Sequence, residues 1–210
     1  MKNLLNYQSS EFDCGPVSVI NGIRYLFHRE EIYPDLIKSL NLYTLDTCNK
    51  YGEAGRHGTS TPMVRFLSCW LNEYAGVRSF PIECHYMKGD AVVLQEGSRL
   101  YEAIKGGSTA VLHLYLEVPH YVLVTGIENN CVLLFDPYYE EIDDPDLDQE
   151  YQTDEIRFIS DQPKLANRSV SLERINRVTR DYYEMGEYEA RHALIMSRTS
   201  DEIRDVKDIE

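Results

Sequence analysis

Three apolar runs follow one another with almost nothing between them: Ala110–Leu116, Tyr121–Ile127 and Cys131–Phe135. They are rich in β-branched residues and too short for typical helices, so they read as strands. The last gap, Glu128-Asn129-Asn130, offers an asparagine pair suited to the left-handed backbone of a tight hairpin. Strands joined this briefly have to run antiparallel, because a parallel connection needs a crossover of roughly a dozen residues or more. The middle of the chain is thereby committed to an antiparallel sheet.

Ahead of that sheet the pattern is helical. Val17, Ile20, Ile23, Leu26 and Phe27 recur at helical spacing between Gly15 and about His28, and Gly15-Pro16 suits the opening of a helix. A second helix is expected from about Pro34 to Leu40. Residues 44–59 are polar and glycine-rich and read as a long loop. Ser60-Thr61-Pro62 is a cap-plus-proline start for a third helix, whose Met63, Phe66, Leu67, Trp70, Leu71 and Tyr74 form one apolar stripe expected to be core. Leu100, Ala103 and Ile104 suggest a short helix stopped by Gly106-Gly107. Past Asp136-Pro137, residues 155–160 and 193–197 suit strands, and Leu172, Ile175 and Val178 hint at a helix between them. Helices first and strands after give an α+β class. The expected division is a core over residues 1–140 and an acidic extension over 141–210 packed on the same domain.

Charge removes several kinds of function. The 210 residues hold 35 acids against 21 bases, net -14. Nucleic-acid binding needs Lys and Arg to displace counterions from phosphate, and anionic membranes repel such a surface, so neither is an expected partner. Most of the charge lies late: residues 140–210 hold 20 acids and 10 bases, net -10. The N-terminus has no apolar signal-peptide core and no apolar run is long enough to span a membrane. Five scattered cysteines with no CxxC make a poor disulfide or zinc framework, so a reduced, cytoplasmic setting is expected. Asp144, Asp146, Asp148 and Glu150 alternate as in a calcium loop, but the turn glycine is missing and Pro145 intrudes, so no metal is expected there.

Chemistry concentrates in two places. Cys14 stands at the start of the first helix, beside unpaired backbone N–H groups and the positive end of the helix dipole, both of which favour the nucleophilic thiolate. The Cys14 backbone N–H, and the side-chain amide of Gln8 six residues upstream, are candidate donors to a developing oxyanion. The second place is Pro119-His120-Tyr121 at the head of one strand and Phe135-Asp136-Pro137 at the foot of the next. A hairpin of this length brings those ends together. A carboxylate on one imidazole nitrogen leaves the other free to take the thiol proton.

The chain order Gln, Cys, His, Asp, with these local contexts, resembles papain-like cysteine peptidases. More narrowly it resembles the bacteriocin-processing, double-glycine leader peptidase family and its stand-alone relatives. Gln8 with Asp13-Cys14-Gly15 is similar to the family's first block, and His120-Tyr121-Val122 with Asp136-Pro137 to its second. The resemblance covers roughly residues 5–140. It implies a helix carrying the nucleophile packed on an antiparallel sheet, with Cys14 as nucleophile, His120 as base and then acid, Asp136 as orienter and Gln8 in the oxyanion hole. The substrate would be a peptide or another amide, hydrolysed through an acyl-enzyme with no cofactor. No transporter segment is recognised within these 210 residues, and the loop over residues 44–59 and the acidic tail match no part of that group's pattern. Two alternatives use the same fold: an acyltransferase or amidase with the same triad, and a catalytically idle binding module.

The other reactive side chains take structural readings. Cys48, Cys69, Cys84 and Cys131 are expected as small buried hydrophobes. His113 is the rival base, but it sits mid-run among leucines; His57, in the polar loop, reads as solvated.

Overall fold

The strand Thr109–Leu116 (β2) is buried along almost its whole length, so layers must cover it on both sides. A strand covered on both faces needs apolar residues at successive positions, and Ala110-Val111-Leu112 and Leu114 are that requirement written in sequence. The computed structural model of the chain describes residues 3–140, 151, 153–159 and 165–199. The acidic run over 141–150, and with it the calcium-like alternation, lies outside the described residues.

Among the described residues, seven strands make one sheet. The others are β1 (Ile82–Lys88), β3 (Val118–Glu128), β4 (Cys131–Phe135), β5 (Ile156–Phe158), β6 (Arg168–Ser171) and β7 (His192–Arg198). Their spatial order is β1-β7-β2-β3-β4-β6-β5, with every pair antiparallel. The chain is α+β, as its residue pattern implies. Asn129 and Asn130 both take positive φ, 49° and 62°, and turn the β3–β4 hairpin as their side chains allow. Strands from both sides of residue 140 share the sheet, and β7 separates β1 from β2.

Helices α1 (Cys14–Leu26), α2 (Pro34–Thr44) and α3 (Thr61–Arg78) cover one face. Ile23, Leu36, Leu40, Leu67 and Leu71 pack there with Val111, Leu123, Leu194 and Met196 of the sheet. Helices α4 (Arg99–Lys105) and α5 (Leu172–Ile175) lie on the other face, where Leu100 and Ile175 meet Leu112, Leu114, Val122 and Ile195. The alternation of Leu194 and Met196 against Ala193 and Ile195 is the two-residue period of a strand sorting its side chains between two layers. No helix among the described residues is long and apolar enough to cross a membrane.

Several expectations from the sequence need correction. Helix α2 runs on to Thr44, whose buried hydroxyl bonds the Leu40 carbonyl at 2.7 Å. The α3 stripe is not all core: the helix buries Val64, Leu67, Ser68 and Leu71, while Phe66 is 43% exposed and packs its ring on Tyr43 at the surface. Cys69, off that buried arc, is exposed, as is Cys48 in the loop; Cys131 is half-buried, and of these four only Cys84 is buried. Val178 lies beyond the end of α5 and is exposed. Strand β1 carries too mixed a pattern to announce itself.

β1 is an edge, and edges invite other strands. Asn72 of α3 covers part of it: its Nδ2 donates to the Cys84 carbonyl at 2.9 Å, and its Oδ1 accepts from the Cys84 N–H at 2.7 Å. The amide stands in for a neighbouring strand. Asn72→Ala is expected to destabilise the fold by about 1–3 kcal/mol, by leaving both Cys84 groups without their partner, and to increase self-association. Urea denaturation and light scattering check the two parts.

Candidate active site

Cys14 is the first residue of α1, and the helix is pinned one turn later by a bond from the Ser18 hydroxyl to the Tyr121 carbonyl, 3.0 Å and buried. That bond ties the thiol's helix to the residue beside His120. The close approach also needs Gly15, since a Cβ there would come within 2.7 Å of the Thr59 Cβ, where the 44–60 loop packs against α1. On the sheet, Leu123 of β3 pairs with Phe135 of β4, so Asp136, just past β4, falls beside the N-terminal end of β3. There His120 Nε2 meets Asp136 Oδ1 at 2.8 Å. Nδ1 is left free of Asp136, and His120 and Cys14 are close enough to shift each other's ionisation. All three side chains are buried.

Gln8 reaches the same region by its backbone. Asn21 of α1 clamps residue 6, accepting from its N–H at 2.8 Å and donating to its carbonyl at 2.9 Å. Two residues on, the Gln8 N–H donates to the Pro137 carbonyl at 2.8 Å. The N-terminal segment thus bridges α1 and the Asp136-Pro137 corner. The Gln8 Oε1 is buried with no hydrogen-bond partner among the described residues.

The electrostatics separate these groups from their look-alikes. Burial alone would raise the Cys14 thiol, but the hydrogen bond and charge of His120, with a backbone hydrogen bond from Tyr121, outweigh it and hold the thiol below its ordinary value. Cys84, equally buried without a cation, is pushed up by burial. Burial opposes a charge on His120 too, yet Asp136 and Cys14 on either side carry it up to about 10. Asp136 is raised by burial and lowered by more through His120, Arg168 and the Tyr138 N–H. His113, the rival base, is driven down to about 3 by burial and by the neighbouring His192 and His120, and His192 falls to about 4 by burial. Those two rings stack at 4.5 Å between centroids and stay neutral. His57 lies exposed in its loop.

The second layer around Asp136 has no short motif in the sequence. Asn167 accepts from the Asp136 N–H and donates to its carbonyl, both at 2.7 Å. The Tyr183 hydroxyl donates to Asp136 Oδ2 at 2.8 Å. Asn167 and Tyr183 come from the segment after residue 140, far in sequence from the blocks they serve. Only a doubled tyrosine at 182–183 and a polar Asn167-Arg168 opening a strand could have drawn attention to them.

No family model matches the chain, and no curated protein matches it. Among solved structures, the chain is similar to a double-glycine motif protease from an AMS/PCAT transporter, in a crystal structure in complex with the leader peptide. Identity is 12%, 94% of each chain is covered, and the TM-score is 0.43.

A lowered thiol beside a raised imidazole fixes a pH window. Below the thiol's value Cys14 is protonated and unreactive; above about 10 His120 loses its proton and the ion pair with it. Between the two, thiolate and imidazolium coexist. At pH 6 Cys14 is therefore expected to react with iodoacetamide at least about tenfold faster than exposed Cys48 or Cys69, since an ordinary thiol loses about tenfold of its thiolate per pH unit below its pKa. Peptide-resolved mass spectrometry measures the three rates; equal rates would contradict the assignment.

Proposed function

We propose that the chain is a cysteine peptidase that hydrolyses a peptide or other amide bond, with Cys14, His120 and Asp136 as its triad. The observation that carries this reading is the buried 2.8 Å hydrogen bond between His120 and Asp136 with the buried Cys14 at the start of α1 beside it, where His120 lowers the thiol and Cys14 and Asp136 raise the imidazole. Structural cysteine–histidine neighbours have no use for a buried charge, which costs free energy to maintain.

In the proposed reaction the Cys14 thiolate attacks the amide carbonyl carbon and the carbonyl π electrons move to oxygen. The oxyanion sits at the N-terminus of α1, where the Cys14 N–H and the Gln8 side-chain amide donate to it. The buried, unpartnered end of the Gln8 amide supports this: a half-turn of the amide presents Nε2 in the same place, and the missing partner arrives with the substrate. Collapse of the intermediate breaks the C–N bond, and His120 gives its proton to the leaving amine. Neutral His120 then takes a proton from water, whose oxygen attacks the thioester; the acid is released and the thiolate–imidazolium pair returns. Asp136 holds His120 in the tautomer that keeps Nδ1 toward sulfur and balances the imidazolium charge.

Turnover is tested on a mixture of synthetic peptides under reducing conditions, with products read by mass spectrometry. Cys14→Ala is expected to abolish cleavage, His120→Gln and Asp136→Asn to lower kcat by about 10³-fold or more, and Gln8→Ala by about 10²-fold. Full turnover in Cys14→Ala would end the reading. Products joined to an added amine, in place of free acids, would move it to acyl transfer.

A further inference from the structure

A tyrosine outside the proposed triad touches its carboxylate. The Asp136 Oδ1 is engaged by His120 Nε2 and the Tyr138 N–H, both at 2.8 Å, while Oδ2 takes the hydroxyl proton of Tyr183, also at 2.8 Å. The same hydroxyl accepts from Arg168 Nε at 3.0 Å. Tyr183 is fully buried, and Arg168 is buried between it and the Phe158 ring, its guanidinium carbon 3.9 Å from the ring centroid. Arg168, Tyr183, Asp136 and His120 therefore form one unbroken buried chain that ends beside Cys14, and in it a phenol separates the cation from the carboxylate.

The backbone around Tyr183 is built to hold it there. Its φ is 58°, a left-handed conformation that bulky residues rarely adopt. The Tyr183 N–H donates to the Tyr115 carbonyl at 2.8 Å, and the Tyr115 N–H to the Glu184 carbonyl at 2.9 Å. Residues 183–184 thus pair with the end of β2, beside Leu114, which faces His120 across the β2–β3 pair. A strained backbone fixed on both sides, with a side chain ending on a charged oxygen, is a placement made for that oxygen.

We infer that Tyr183 is a positioning residue for the proposed Cys14–His120 pair: its hydroxyl, held by Arg168, fixes one oxygen of Asp136 so that the other stays on His120. This rests on the proposed peptidase reading. Without the hydroxyl, Arg168 keeps its Nη1 bond to the Asn167 carbonyl at 3.0 Å, but its Nε loses its acceptor and has the carboxylate itself to turn to. Asp136 is then drawn away from His120, the imidazolium loses its counterion, and the thiolate loses its cation. The reactive window closes from both ends: the acid limb moves up and the alkaline limb moves down. The other ionisable groups facing this chain are Tyr151 toward Asp136 and Tyr183, Tyr121 toward Cys14, and neutral His113 toward His120.

The test is the pH profile of Cys14 alkylation by iodoacetamide, from pH 4 to 11, in the full chain. Tyr183→Phe keeps the ring and removes only the hydroxyl. Its acid midpoint is expected to rise by about 0.5–1.5 units, with a fall of about 3- to 30-fold in rate at the lower plateau edge, since rate follows the thiolate fraction. Tyr25→Phe is the control; it removes a hydroxyl bonded to the Thr125 carbonyl at 2.8 Å on the other face of the sheet, and its midpoints should match the unsubstituted protein. A Tyr183→Phe profile that keeps both midpoints, or falls uniformly at every pH, overturns the inference. If that variant does not fold, tyrosine Cζ-labelled unsubstituted protein answers by NMR: the Tyr183 signal should move at the pH where Cys14 ionises, and a flat signal overturns the inference. An unsubstituted protein with no low-pH reactivity at Cys14 would instead defeat the peptidase reading itself.

Discussion

A buried imidazolium needs a buried anion within hydrogen-bond reach, and the 2.8 Å contact between His120 and Asp136 meets that need. Taking either charge from water costs several kcal/mol, and removing one partner would strand the other. The arrangement therefore holds best where the groups around the Asp136 carboxylate are themselves partnered. The Tyr138 N–H, the Asn167 side chain and the Tyr183 hydroxyl meet that demand around Asp136. On the opposite side of the ring, the thiol of Cys14 completes it. Cys84, buried with no cation beside it, shows what the same burial does to a thiol when nothing answers it.

The layers on either side of the sheet serve this pair unequally. The face under α1 brings the thiol, fixed by Ser18 and by the close passage of Thr59 over Gly15. The opposite face, where Tyr183 and Ile175 pack with Leu112 and Val122, brings what steadies the carboxylate. The proposed site thus lies where the two layers meet around the ends of β3 and β4, and neither layer alone contains it.

How much of this the amino-acid sequence discloses follows from distance along the chain. The β3–β4 hairpin was readable because its strands, its Asn129-Asn130 turn and its terminal His120 and Asp136 lie within one local stretch. Cys14 was readable because a helix start is a local signal. Burial on both faces made β2 conspicuous, whereas edge strand β1, whose residues alternate between core and solvent with charges among them, gave no such pattern. In α3, helical spacing marked a broad apolar arc but not which part meets the sheet, so Phe66 and Cys69 face outward. Asn167, Arg168 and Tyr183 were invisible for a different reason. Their roles are fixed by pairings between segments 31 and 47 residues removed from Asp136, and no spacing rule reaches that far.

The place of β7 has a consequence in time. Its residues 192–198 lie between β1 and β2, so β1 has no strand to pair with until they have been made. A chain emerging from the ribosome N-terminus first can assemble helices and the local β2–β3–β4 meander early, because their contacts span short loops. The sheet closes only when a late segment threads into its middle, and the residues that secure Asp136 come off the ribosome shortly before it. Cys14 is made well before Asn167, Tyr183 and β7, so its proposed setting is completed long after the residue itself. If the chain works as proposed, it gains little capacity to cut anything, itself included, before residues 192–198 have been made.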